Sequence, residues 1–205
     1  MTEWSMFFRS SNNSNFPYDL KFNYMPMGIE RQSNDGSDLV AHYYKDLTSK
    51  KYGANDNFPH RFLLNGGMAV QQTDGSNGRP QQIFMVSTLG QAGRGAFAIN
   101  IGGYDIITGR PLAGDNMQSS HWYEDVFLFQ TPKGKDNQFG YTVGSPAIAR
   151  VRVNSNIDAS DSSITDHIRQ AAFISNAITT PPLWLRISLP NPHLNQLYIF
   201  TTYWV

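Results

Sequence analysis

The densest gathering of chemically able side chains in this sequence is His121-Trp122-Tyr123-Glu124-Asp125. A base, two carboxylates and two aromatic rings within five residues suit a general acid–base pair, His121 with Glu124 or Asp125. They also suit a sugar-stacking patch, with Trp122 and Tyr123 as platforms and Asn116, Gln118 and Asp125 holding hydroxyls. The same run reads equally as the polar entrance to the apolar Val126-Phe-Leu-Phe129 stretch that follows, because proximity in sequence is not convergent geometry.

Other constellations are thinner. His42, His60, His167 and His193 are scattered, with no two at ligand spacing, and without cysteine there is no thiolate zinc site, disulfide framework or cysteine nucleophile. Gly90-Gln-Ala-Gly93-Arg-Gly95 has neither the glycine order of a dinucleotide fingerprint nor the Lys-Ser/Thr ending of a phosphate loop. Ser33-Asn-Asp-Gly-Ser-Asp38 offers hard oxygen ligands but lacks the distal Glu that completes a calcium loop. Neither a cofactor nor a metal is expected. Arg150 and Arg152, with Arg186 as a further basic residue, could meet a phosphate or a partner carboxylate, or simply line a solvated sheet face. The lysines form no stripe, and the formal net charge is +0, so specific nucleic-acid binding is not expected.

The elements that must position these residues read as strands. Asn, Gln, Ser and Thr together make up 58 of the 205 residues, whereas only 3 Glu and 6 Lys are present, so exposed helix formers are scarce. Aromatic residues reach 13% and favour half-buried pleated positions. Met68–Gln72 and Gln81–Thr88 flank a turn-rich loop and predict a hairpin. Phe97, Ile99 and Ile101 alternate before Gly102-Gly103, which reads as a two-residue turn leading to Tyr104 and Ile106. Val126–Phe129 reads as a strand covered on both faces. Val151 and Val153 alternate with Arg150 and Arg152. Leu183, Leu185, Ile187 and Leu189 define one face of a strand, and Leu197–Val205 is apolar on both faces.

Two helices are predicted. One spans Ser37–Lys51, with a Val40, Tyr43, Tyr44, Leu47 stripe, and one spans Asp161–Ala177, with a capping-box-like start and a stripe through Ile164, Ile168 and Ala171. Residues 1–36 are aromatic, lack a clean period and are interrupted by Pro17 and Pro26. They are expected to form an extended arm preceding a single domain over 37–205, or an N-terminal strand of the same core. The fold expected is mainly β, an antiparallel β-sandwich of jelly-roll type with two short helices.

A neutral, amide-rich surface carries little long-range repulsion, so copies approach closely. With surplus aromatics and apolar residues near both ends, this points to a structural assembly subunit of a virus or bacteriophage particle. Its partners are copies of itself and other particle proteins, and Trp4, Phe7, Phe8, Phe16, Tyr198, Tyr203 and Trp204 are the anchor candidates. The alternatives are a carbohydrate-binding module using the His121–Asp125 run and an enzyme based on His121. No signal peptide and no apolar run approaching a membrane span is seen, so the expected location is the virion, assembled in host cytoplasm.

Overall fold

The computed structural model describes residues 5–13, 15–29, 44–60, 62–75, 80–117, 120–131, 139–142, 144–152, 168–176, 184–185 and 197–203. Its organising element is the antiparallel sheet β3-β4-β6-β7, formed by β3 (Met68–Gln72), β4 (Gln81–Thr88), β6 (Ala96–Tyr104) and β7 (Phe127–Gln130). The predicted β3–β4 hairpin is present, running from Met68 opposite Ser87 to Gln72 opposite Ile83. At its described end the Thr73 backbone N–H reaches the Gln82 carbonyl at 2.8 Å while the Thr73 hydroxyl accepts from the Gln82 N–H at 2.8 Å.

Period-two alternation gives β4 and β6 two apolar faces. Phe84, Val86, Ala96 and Ala98 point one way and join Leu128, Phe129 and Phe139 in a core shared with Ala172 and Ile174 of a second sheet. Met85, Phe97 and Ile99 point the other way, into a core with Phe22, Leu89, Ala113 and Val126. A sheet apolar on both faces must be covered on both. One cover is the sheet β11-β12-β10-β9, from β9 (Ala147–Arg152), β10 (Ile168–Asn176), β11 (Trp184–Leu185) and β12 (Leu197–Tyr203). In it β10 pairs antiparallel with β9 and parallel with β12. The other cover is a hairpin of β1 (Ser5–Asn13) and β2 (Phe16–Tyr24), together with the short helix α2 (Trp122–Val126). A small sheet of β5 (Gly90–Arg94) and β8 (Tyr141–Thr142) closes one end, where the Arg94 guanidinium donates to the Phe139 carbonyl at 2.7 Å. Among the described residues the chain is therefore mainly β, with mostly antiparallel sheets that stay open and few helices.

Several expectations are corrected at the level of elements. Of the predicted Asp161–Ala177 helix, the described part, Ile168–Asn176, is a strand, and residues 161–167 and 177 lie outside the described residues. The helical stripe there is real, but Ala172 and Ile174 alternate into the shared core, and pairing on both sides of β10 outweighs local helix preference. Gly102 and Gly103 do not turn the chain. They lie inside β6, opposite Ile83 and Gln82, and the reversal comes after Tyr104. Gly103 sits at φ 139°, where a Cβ would lie 2.1 Å from the Gln81 carbonyl oxygen, so glycine is needed for close strand approach rather than for a turn. Of the predicted 37–51 helix, the described part is α1 (Tyr44–Leu47), and residues 37–43 lie outside the described residues. His121–Val126 leads into β7 through the turn and helix of α2, so only Phe127–Gln130 of that run is strand. Residues 5–13 and 15–24, for which an arm or an N-terminal strand of the same core was expected, form the β1–β2 hairpin, with Phe7, Phe22 and Tyr24 packed into the same core as Met85 and Phe97.

Candidate interaction surface

Register decides which hairpin residues reach the core. Phe7 pairs with Phe22 and their rings stack at 4.6 Å, with the Trp122 ring 5.7 Å from Phe22. Between Phe7 and Phe8 the pairing slips by one residue, at Lys21, so that Phe8 lies opposite Leu20 and Ser10 opposite Tyr18. Alternation along β1 turns Met6 and Phe8 to the outer face, and the slip brings Leu20 and Tyr18 of β2 to that same face. Their exposures are 56% for Phe8, 51% for Leu20, 67% for Tyr18 and 44% for Met6. Among the described residues the hairpin is thus apolar on both faces and covered on only one.

Two smaller apolar features accompany it. On β3, Met68 and Val70 lie on the same side of the sheet as Met85 and are exposed. Beyond β6, the Asp105–Arg110 loop presents Ile107 at its tip, 76% exposed. That tip is held firmly. The Asp105 carboxylate accepts from the Ile107 and Thr108 N–H groups at 2.8 and 3.0 Å, and the Asp105 N–H donates to the Arg110 carbonyl at 2.8 Å. These N–H donors, Thr108 first and Ile107 second, hold the Asp105 carboxyl below its ordinary pKa by stabilising the charged form.

The sequence-predicted residues distribute unevenly. Phe8 is on the uncovered face, whereas Phe7 is packed inside. The backbones of Phe16, Tyr198 and Tyr203 lie in strands β2 and β12, and their side chains, like all of Trp4 and Trp204, lie outside the described residues. In the His121–Asp125 run, Trp122 packs against Phe22, with the Tyr123 ring edge-on at 6.5 Å. Tyr123 is exposed, and His121 Nδ1 lies 3.3 Å from Glu124 Oε1 in the open. Asp125 is half-buried on the same turn. The aromatic pair therefore does not form one flat platform. Arg150 pairs with Asp74 at 2.7 Å, tying β9 to the β3–β4 loop, while the Arg152 side chain and Arg186 lie outside the described residues. Among the described residues no three His, Asp or Glu side chains gather as a metal cluster. Sequence reasoning passed over Met6, Tyr18 and Leu20. The spacing Phe16-x-Tyr18-x-Leu20 was the available signal, a period-two apolar run in a segment that reads as irregular.

The fold and surface together define a mainly β protein whose central sheet is wrapped on both faces and whose outermost hairpin carries an apolar skin. The protein family described as the PilY1 beta-propeller domain matches residues 5–162, and the chain belongs to that family. No curated protein and no solved structure matches it.

Proposed function

We propose that the chain is a structural assembly subunit that works through protein–protein contacts rather than by catalysis. The observation that supports this reading is the β1–β2 hairpin, whose inner face completes the core while its outer face leaves Met6, Phe8, Tyr18 and Leu20 uncovered. A contiguous apolar patch of this kind marks an interaction site. The family name belongs with type IV pili, so a surface appendage is the setting we favour. The virus or bacteriophage particle expected from the sequence makes the same physical demand. The glycan-binding and enzymatic alternatives draw on the His121–Asp125 turn, and they rank lower because Trp122 is engaged with Phe22 and the His121–Glu124 contact lies in the open.

The finer architecture is also a proposal. The two four-stranded sheets stack through one apolar layer, Phe84, Val86 and Leu128 against Ala172 and Ile174. That stacking suits the two halves of a jelly-roll sandwich, and it equally suits neighbouring blades of a propeller, which are themselves four-stranded sheets.

The test is the mass of the full chain in solution by light scattering over a wide concentration range, with negative-stain microscopy. Concentration-dependent association is expected. A monodisperse monomer at every concentration refutes the reading.

A further inference from the structure

We infer that the occupant of the outer hairpin face is a second copy of this chain, docked hairpin to hairpin about a two-fold axis. This rests on the assembly reading and names its partner. The patch is suited to its own image. The Phe8–Leu20 cross-strand pair stands at its centre, with Met6 towards one end on β1 and Tyr18 towards the other on β2. A two-fold axis passing between Met6 and Tyr18 lays each over the other, thioether against ring, and sets the central pair against its mate. Isologous contacts require such self-complementarity.

Charge permits the approach. The formal net charge is +0, so two copies meet without long-range repulsion, and the flanking Ser10 and Asn23 are neutral and exposed, as the rim of an interface should be.

Area makes the contact a weak one. Counting roughly 200 Å² for a large side chain, the exposed fractions leave about 400 Å² of side-chain surface on this face. Two such faces bury about 800 Å² of apolar surface, below the roughly 1,200 Å² of standard specific interfaces and in the range of weak, transient contacts. The dimer is therefore a reversible one.

The experiment compares the full-length wild-type chain with the double variant Phe8→Glu/Leu20→Glu and with Ile107→Glu by sedimentation equilibrium. All three positions are exposed, and thermal melts followed by circular dichroism verify that each variant is folded. The inference expects a wild-type dimer, a dimer weakened by about a hundredfold or more in the hairpin double variant, and a dimer unchanged in Ile107→Glu. A double variant that is folded and dimerises like wild type overturns the hairpin interface while leaving the assembly reading standing. A wild-type chain that is monomeric throughout overturns both.

Discussion

Truncating Phe22 and truncating Phe8 should have sharply different consequences, although both are phenylalanines of one hairpin. Phe22 is 8% exposed, stacked on Phe7 at 4.6 Å and packed against Trp122. Phe22→Ala removes a buried ring and leaves a cavity between the hairpin and the central sheet, at a cost of about 3–5 kcal/mol. The two lost aromatic contacts fall within that range rather than adding to it. Phe8 is 56% exposed and its ring meets solvent, so Phe8→Ala should cost under about 1 kcal/mol in the monomer. The difference, roughly 3 kcal/mol, corresponds to about a hundredfold in the unfolding equilibrium. Urea denaturation at low protein concentration reads it directly, because dilution removes the contribution of association. Equal losses for the two substitutions, or a larger one at Phe8, would refute the assignment of inner and outer faces.

Three further outcomes follow from particular contacts. Gln82 is fully buried on the core face of β4 with neither side-chain amide atom hydrogen-bonded among the described residues, so Gln82→Met should be neutral or stabilising by about 1–2 kcal/mol in a thermal melt; a loss of stability would mean that the amide is satisfied in solution. Gly103→Ala should destabilise by roughly 2–4 kcal/mol, since both the positive φ and the approach of the Gln81 carbonyl oppose a Cβ, and a melt indistinguishable from wild type contradicts it. Asp105 has a folded pKa below its unfolded one, so its contribution is present above the unfolded value and is lost as pH falls through the folded value. The Ile107 and Thr108 amide resonances should accordingly shift together on acidification, in a titration that Asp105→Asn abolishes; amides that stay fixed down to strong acid would exclude the turn.

The β3–β4 hairpin was legible because alternating runs flanked a turn-rich loop, and local and tertiary signals agreed there. The sequence misled where a residue type serves two geometries. Gly102-Gly103 resembles a hairpin turn, yet the actual reversal uses Asp105, two residues later, whose carboxylate caps the loop by accepting two backbone N–H groups. Ile168 and Ala171 sit at helical spacing, but β9 and β12 supply pairing partners on either side that no local window reveals. For the surface, Phe7 and Phe8 were both anchor candidates, and adjacent strand positions necessarily face opposite ways, so at most one of them belongs outside. Tyr18 and Leu20 were hidden because their face depends on the slip at Lys21, a feature of pairing between strands rather than of either strand alone.

The most direct test of the claim that another polypeptide covers the outer hairpin face exploits the absence of native cysteine. Leu20→Cys and, as a reference on a different surface, Met68→Cys are each oxidised under mild conditions and resolved on non-reducing gels. A disulfide-linked dimer forming rapidly from Leu20→Cys, and slowly or not at all from Met68→Cys, is the predicted result. Equal, slow cross-linking at both positions would contradict the account.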